Sequence, residues 1–224
     1  MDIKELKIEK GIQINQYNAL IIVDMQYDFM PGGALPVNEG DQIIDGINNI
    51  ALKFNATHNK VVLTQDWHPQ DHLSFASNHP GKSSGNEYQT EAIGPVLWPD
   101  HCVQGSKGAE FHKNLDKNLA HAIIRKGYNP QIDSYSGFIE NDKKSETGLA
   151  GYLKSQNIKR IFVCGLALDY CCYSTAIDGV DFGFEVYFLI DLTKGIDLPP
   201  GNISNSLKSM INKGIKFAKI ESFS

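Results

Sequence analysis

The chain has 224 residues, 42% of them hydrophobic and 21% charged, with a formal net charge of −5. Such a length suits one large α/β domain, and the composition excludes disordered, collagenous and coiled-coil chains. The acidic balance, without any run of five like charges, argues against nucleic acid or an anionic membrane as the main partner.

Residues 1–18 mix charge with Ile and Leu and lack the apolar block of a signal peptide. They read as an N-terminal extension, and 19–224 as a single domain. No later stretch is long and apolar enough to span a bilayer, so a cytoplasmic protein is expected. Cys102, Cys164, Cys171 and Cys172 show no disulfide-framework spacing, which fits reduced thiols.

The first apolar run, 19–23, stops at Asp24, and an amphipathic helix over 41–54 follows with Ile43, Ile44, Ile47, Ile50, Ala51 and Phe54 on one stripe. Residues 60–64 form the second run, ending at Asp66. From 68 to 112 the pattern is irregular, with four prolines and five histidines, and so long a segment inside a compact domain is usually functional. A third run, 122–124, ends at Lys126, and a helix is predicted over 145–156. The fourth, 160–164, ends at Gly165, and a helix starts near Tyr170. The fifth, 185–190, stops at Asp191, a helix covers 204–212, and a weaker sixth run spans 215–220. Runs apolar throughout, alternating with helices, predict a doubly wound, mostly parallel sheet covered on both faces.

In such a sheet ligands bind beyond the carboxyl ends of the strands. Asp24, Asp66 and Lys126 stand at three of those ends, and Cys171 opens the helix after a fourth. A thiol, a carboxylate and an ammonium are the minimal set for covalent attack on a carbonyl. A helix N-terminus and a neighbouring cation would both lower the thiol pKa. Asp24 would take the thiol proton and return it to a leaving amine. Backbone amides near Cys171 would hold the developing oxyanion. The competing reading is that aspartates at strand ends turn the chain and that a cysteine in a helix's first turn is a small core residue.

Asp66 and His68, two apart at a strand end, point to one side, and with a further histidine they would suit Zn²⁺, Mn²⁺ or Fe²⁺. Spacing leaves His101 and His72 as equal choices for the third ligand. His58, His79 and His121 read as ordinary surface or core histidines. Phe29 and Trp98, in irregular segments near these groups, predict a slot for a flat ring.

Several ordered motifs resemble the nicotinamidase/pyrazinamidase branch of the isochorismatase-like cysteine hydrolases. They are Ile21-Ile22-Val23-Asp24-Met25-Gln26-Tyr27-Asp28-Phe29, Gly32-Gly33-Ala34-Leu35, Thr64-Gln65-Asp66-Trp67-His68-Pro69 and Trp98-Pro99-Asp100-His101-Cys102-Val103. Gly108-Ala109-Glu110-Phe111, Arg125-Lys126-Gly127, Asp133-Ser134-Tyr135-Ser136-Gly137-Phe138 and Gly165-Leu166-Ala167-Leu168-Asp169-Tyr170-Cys171 follow. The resemblance implies a catalytic triad of Asp24, Lys126 and Cys171, and an oxyanion site at the Ala167 and Cys171 amides beside a cis bond preceding Ala167. It implies one divalent metal ion, Zn²⁺ first with Mn²⁺ or Fe²⁺ also fitting, on Asp66, His68 and His101, with His72 as a fourth candidate. Ring contacts fall on Phe29, Leu35, Trp98 and Tyr135.

The activity so implied is deamidation of nicotinamide, with pyrazinamide a related substrate, in a protein whose partner is that small molecule; a homo-oligomer is left open. Cys172 and Tyr173 depart from the Val and basic residue that the family usually has there. Rival readings are an amidase of the same superfamily acting on a carbamoyl or ureido compound, or a non-catalytic metal-binding or redox-sensing module. A vinyl-ether hydrolase of the isochorismatase type fits less well, since that branch lacks the cysteine.

Overall fold

The computed structural model describes residues 3–224. Six strands, β1 (Asn18–Val23), β2 (Lys60–Asp66), β3 (Ala122–Lys126), β4 (Arg160–Leu166), β5 (Glu185–Lys194) and β6 (Lys216–Ala218), form one sheet in the order β3-β2-β1-β4-β5-β6. Every neighbouring pair is parallel. Four helices connect them: α1 (Ile44–Ala56), α2 (Leu149–Ser155), α3 (Tyr173–Asp181) and α4 (Asn202–Asn212).

The continuous apolar runs follow from burial on two faces. Along β1, Leu20 and Ile22 join a core with Leu63, Phe162 and the α1 residues Ile47, Ile50 and Phe54. Ala19, Ile21 and Val23 point the other way, into a core with Leu149 and Leu153 of α2, Ala176 of α3 and Leu207 of α4. Helix α1 thus covers one face and the other three cover the opposite face, as the doubly wound reading requires.

The boundaries moved where local chemistry overrode periodicity. A 3-10 turn over Gly40–Ile43 precedes α1, and α2 is shorter than expected because Gly148, at φ 96°, starts it late. Strand β5 does not stop at Asp191 but continues to Lys194, with a register shift against β4 between Val163 and Gly165. Cys171 does not open an α-helix either. It sits in a π-helical turn, Leu168–Cys172, that precedes α3.

The N-terminal segment lies along β6: the Glu9 amide donates to the Phe217 carbonyl (2.9 Å) and the Ile12 amide to that of Ser222 (2.8 Å). Leu6 and Ile12 are buried. Of the expected extension, residues 1 and 2 lie outside the described residues. All four cysteines are free, and all are buried. Among the described residues no helix is long and apolar enough to cross a membrane.

Candidate active site

The strand order reverses between β1 and β4, the two central strands, and a crevice opens at their carboxyl ends. Asp24 follows β1, Asp66 and Lys126 end β2 and β3, and Cys171 follows β4. The Lys126 ammonium lies 2.9 Å from Asp24 Oδ2, pairs closely with Asp66 Oδ1, and stands 3.5 Å from Cys171 Sγ. It also donates to the Ser134 carbonyl at 3.1 Å. All four side chains are buried. Such a buried cation persists because three anionic or anion-forming groups face it.

Neighbours fix each carboxylate. Thr64 Oγ1 donates to Asp24 Oδ1 at 2.6 Å. Gln26 Nε2 donates to the Asp66 carbonyl (2.8 Å) and Gln26 Oε1 accepts the Asp66 amide (2.8 Å), locking the end of β2. Neither Thr64 nor Gln26 stood out in the sequence as a support for the site, although both lie within its motifs.

Electrostatics separates the two aspartates. Burial, opposed by Lys126 and aided by Asp66, pushes the Asp24 carboxyl up to about 6. Burial acts on Asp66 as well, but Lys126 and His68 outweigh it and hold that carboxyl well below its ordinary range. The Cys171 thiol corrects the expectation of a depressed pKa. Burial pushes it well above its usual value; Lys126 opposes the rise, and Asp24, Asp66 and Cys172 add to it. The resting thiol therefore keeps its proton.

Asp66, His68 and His101 each present a ligand atom, all within 4.8 Å of one another and all buried. His68 Nδ1 donates to the Gly127 carbonyl (2.8 Å) and His101 Nδ1 to that of Pro99 (2.8 Å). Both rings thereby turn Nε2 toward the cluster, the outer-sphere arrangement metal-binding histidines use. Burial and the neighbouring His68 pull His101 down to about 4, whereas Asp66 raises His68 against the effect of burial. This donor set fits a divalent ion. His72 is a correction: its Nδ1 bonds Ser74 Oγ at 2.7 Å and its Nε2 donates to the Ile132 carbonyl at 3.1 Å, so both nitrogens are engaged and it stands outside the ligand cluster. A second close group, Asp24, Asp66 and Cys171, surrounds the Lys126 ammonium, which already supplies the positive charge there.

Asp66, His68 and His101 face one cavity that opens to solvent. Phe29, Leu35, Trp98, Tyr135 and Ala167 line it, as does Cys171, while Cys172 does not. Cys172 lies instead wholly buried in the core beneath α3. Trp98 Nε1 donates to the Tyr135 hydroxyl at 3.0 Å, which donates onward to the Gly94 carbonyl, and Tyr170 packs edge-on against both rings. The bond between Leu166 and Ala167 is cis.

Four lining residues were missed by the sequence reading: Asp133, Ser134, Tyr170 and Ile196. The first three lie within two residues of Tyr135 or Cys171 and inside the quoted motifs, so a signal for them was available. Ile196 had none. Asp133 is buried with Oδ2 unpartnered, and burial raises its carboxyl.

A doubly wound sheet with a thiol, an ammonium and a carboxylate at its switch point defines the class of α/β cysteine hydrolases. A family model described as Isochorismatase domain matches residues 18–222, and the chain belongs to the isochorismatase family, in its nicotinamidase/pyrazinamidase branch. It is 46% identical over 198 residues to the nicotinamidase of Acinetobacter baylyi, covering 88% of this chain and 90% of that protein. PnC1 of L. infantum, solved in complex with nicotinate, superposes with a TM-score of 0.82 at 38% identity, over 96% of this chain and 98% of that one. A zinc complex of the Pyrococcus horikoshii pyrazinamidase gives 0.75 at 41% identity, over 91% and 99%. The protein is thus a hydrolase of this family with a site suited to nicotinamide-like amides.

Proposed function

We propose that the protein hydrolyses nicotinamide to nicotinate and ammonia through a thioester on Cys171, and that pyrazinamide is also a substrate. The observation that carries this is the convergence of the Lys126 ammonium and the Asp24 carboxylate on Cys171, whose side chain lines a cavity walled by Phe29, Trp98 and Tyr135. Relatives named as nicotinamidases, and one solved with nicotinate, support the choice of ring.

Each group has one task. The thiol holds its proton at rest, and Asp24, whose carboxyl sits near 6, is ionised at neutral pH and accepts it. The sulfur then bonds the carboxamide carbon, and the electron pair of the C=O bond moves to oxygen. The Ala167 and Cys171 amides hold that oxyanion. Asp24 returns the proton to nitrogen, the C–N bond breaks and ammonia leaves. A water gives one proton to Asp24 and its oxygen to the thioester carbon; the C–S bond breaks, the carboxylic acid leaves and ionises, and Asp24 returns the proton to sulfur, regenerating the thiol. Lys126 keeps its charge throughout, compensating Asp24 and Asp66 and stabilising developing thiolate. Asp66, His68 and His101 would hold the divalent ion, with Zn²⁺ favoured by the zinc-bound relative. When bound, such an ion supplies Lewis acidity beside the ring.

Cys171→Ala should abolish ammonia release from nicotinamide while metal content and nicotinamide affinity, measured by calorimetry, stay within a few-fold of the parent. Ammonia release at the parent rate would reject the mechanism. Binding without turnover in the unaltered protein would favour the non-catalytic reading.

A further inference from the structure

Between β5 and α4 the chain crosses the mouth of the site, and Ile196 of this loop lines the cavity. No regular element holds it there. The loop is fastened by the two residues that precede Cys171. Asp169, 3% exposed, accepts the Ile196 amide on Oδ1 and the Asp197 amide on Oδ2, both at 2.9 Å. Asn202 Nδ2 donates to the same Oδ2 (3.1 Å) and to the Asp169 carbonyl (3.2 Å). The Tyr170 hydroxyl donates to the Leu198 carbonyl. Three successive loop residues are thus tied to the turn that carries the sulfur. The approach is close: a Cβ added to Gly195 would stand 2.7 Å from Ile203 Cδ1 and 3.0 Å from Asp169 Oδ1.

We infer that Asp169 is a positioning residue that fuses the sulfur-bearing turn and the Ile196 wall into one unit, so that the ring is seated in register with Cys171. This rests on the function proposed above. A carboxylate is suited to the task because its two oxygens accept two adjacent backbone N–H groups, each a charge-assisted bond. An amide cannot do so, since one of its two ends is a donor.

A double-mutant cycle tests this. Asp169→Asn should raise KM for nicotinamide about tenfold, as loss of one buried charged hydrogen bond allows. Hydrogen exchange should speed at the Ile196 and Asp197 amides and not in β1 or β4. Ile196→Ala should raise KM too, and in that background Asp169→Asn should add less than about twofold. Gly195→Ala disturbs the same contact from the loop side with Asp169 intact, and should raise KM likewise; it carries the test if Asp169→Asn does not fold. Equal effects of Asp169→Asn in both backgrounds, or unchanged exchange at residues 196 and 197, would overturn the inference. Should ammonia release prove independent of Cys171, the proposed function fails, whereas nicotinate affinity and exchange in the same variants still judge the clamp.

Discussion

Lys126 is the residue on which the site's charge balance turns. Its ammonium faces Asp24, Asp66 and Cys171 without solvent, so replacing it by methionine leaves two buried carboxylates confronting each other. Lys126→Met should cost about 3–5 kcal/mol in urea unfolding, besides abolishing turnover. Asp24 sets the acid limit. With its carboxyl at about 6, kcat/KM should fall tenfold per pH unit below that value as the base is protonated. This loss should be reversible and separate from unfolding. Asp24 binds its proton more tightly folded than unfolded, so it erodes stability as pH rises from its ordinary 3.8 to about 6. Asp66 acts with the opposite sign, adding stability above 3.8 and surrendering it as pH falls below. Near pH 5, circular dichroism should therefore report a folded protein while kcat/KM has fallen about tenfold. Asp24, Asp66 and Lys126 were legible in sequence because each ends an apolar run. The raised thiol of Cys171 was not, because the depth at which a turn is buried is a tertiary property.

At the scale of elements, β1 and β4 must run close enough to bring Asp24 beside the sulfur. Gly165 permits this: at φ 109°, a Cβ there would lie 2.1 Å from the Val23 carbonyl oxygen. Gly165→Ala should separate the two strand ends and lower kcat at least tenfold, with a smaller change in KM, as steady-state ammonia release would record. The strands were readable because burial on both faces leaves an unbroken apolar signature. Strand β5 was readable in part: Asp191 is exposed within it and accepts the Ile220 amide at 3.0 Å, so a polar residue that looked like a terminus lies inside the strand. Ile196 escaped notice for a related reason. Its place depends on the hydrogen bond its amide donates to Asp169, 27 residues earlier, and no local periodicity encodes such a tie. His72 looked equivalent to His101 because spacing in an irregular segment says nothing about which ring nitrogens the backbone will occupy.

For the molecule as a whole, the order β3-β2-β1-β4-β5-β6 decides where chemistry can occur, since the reversal lies between the two most central strands. Four separate stretches of chain meet there, which is why isolated motifs were individually weak and jointly informative. The segment before β1 has a different bearing. Its hydrogen bonds from Glu9 and Ile12 occupy carbonyls at and just beyond the outermost strand, β6. Deleting residues 1–12 should leave KM and kcat near their parent values at low concentration. It would, however, bare a flank able to recruit a second copy, and light scattering should show particle size growing with protein concentration. A few residues remote from the chemistry would then govern how far this protein can be concentrated before it sticks to itself.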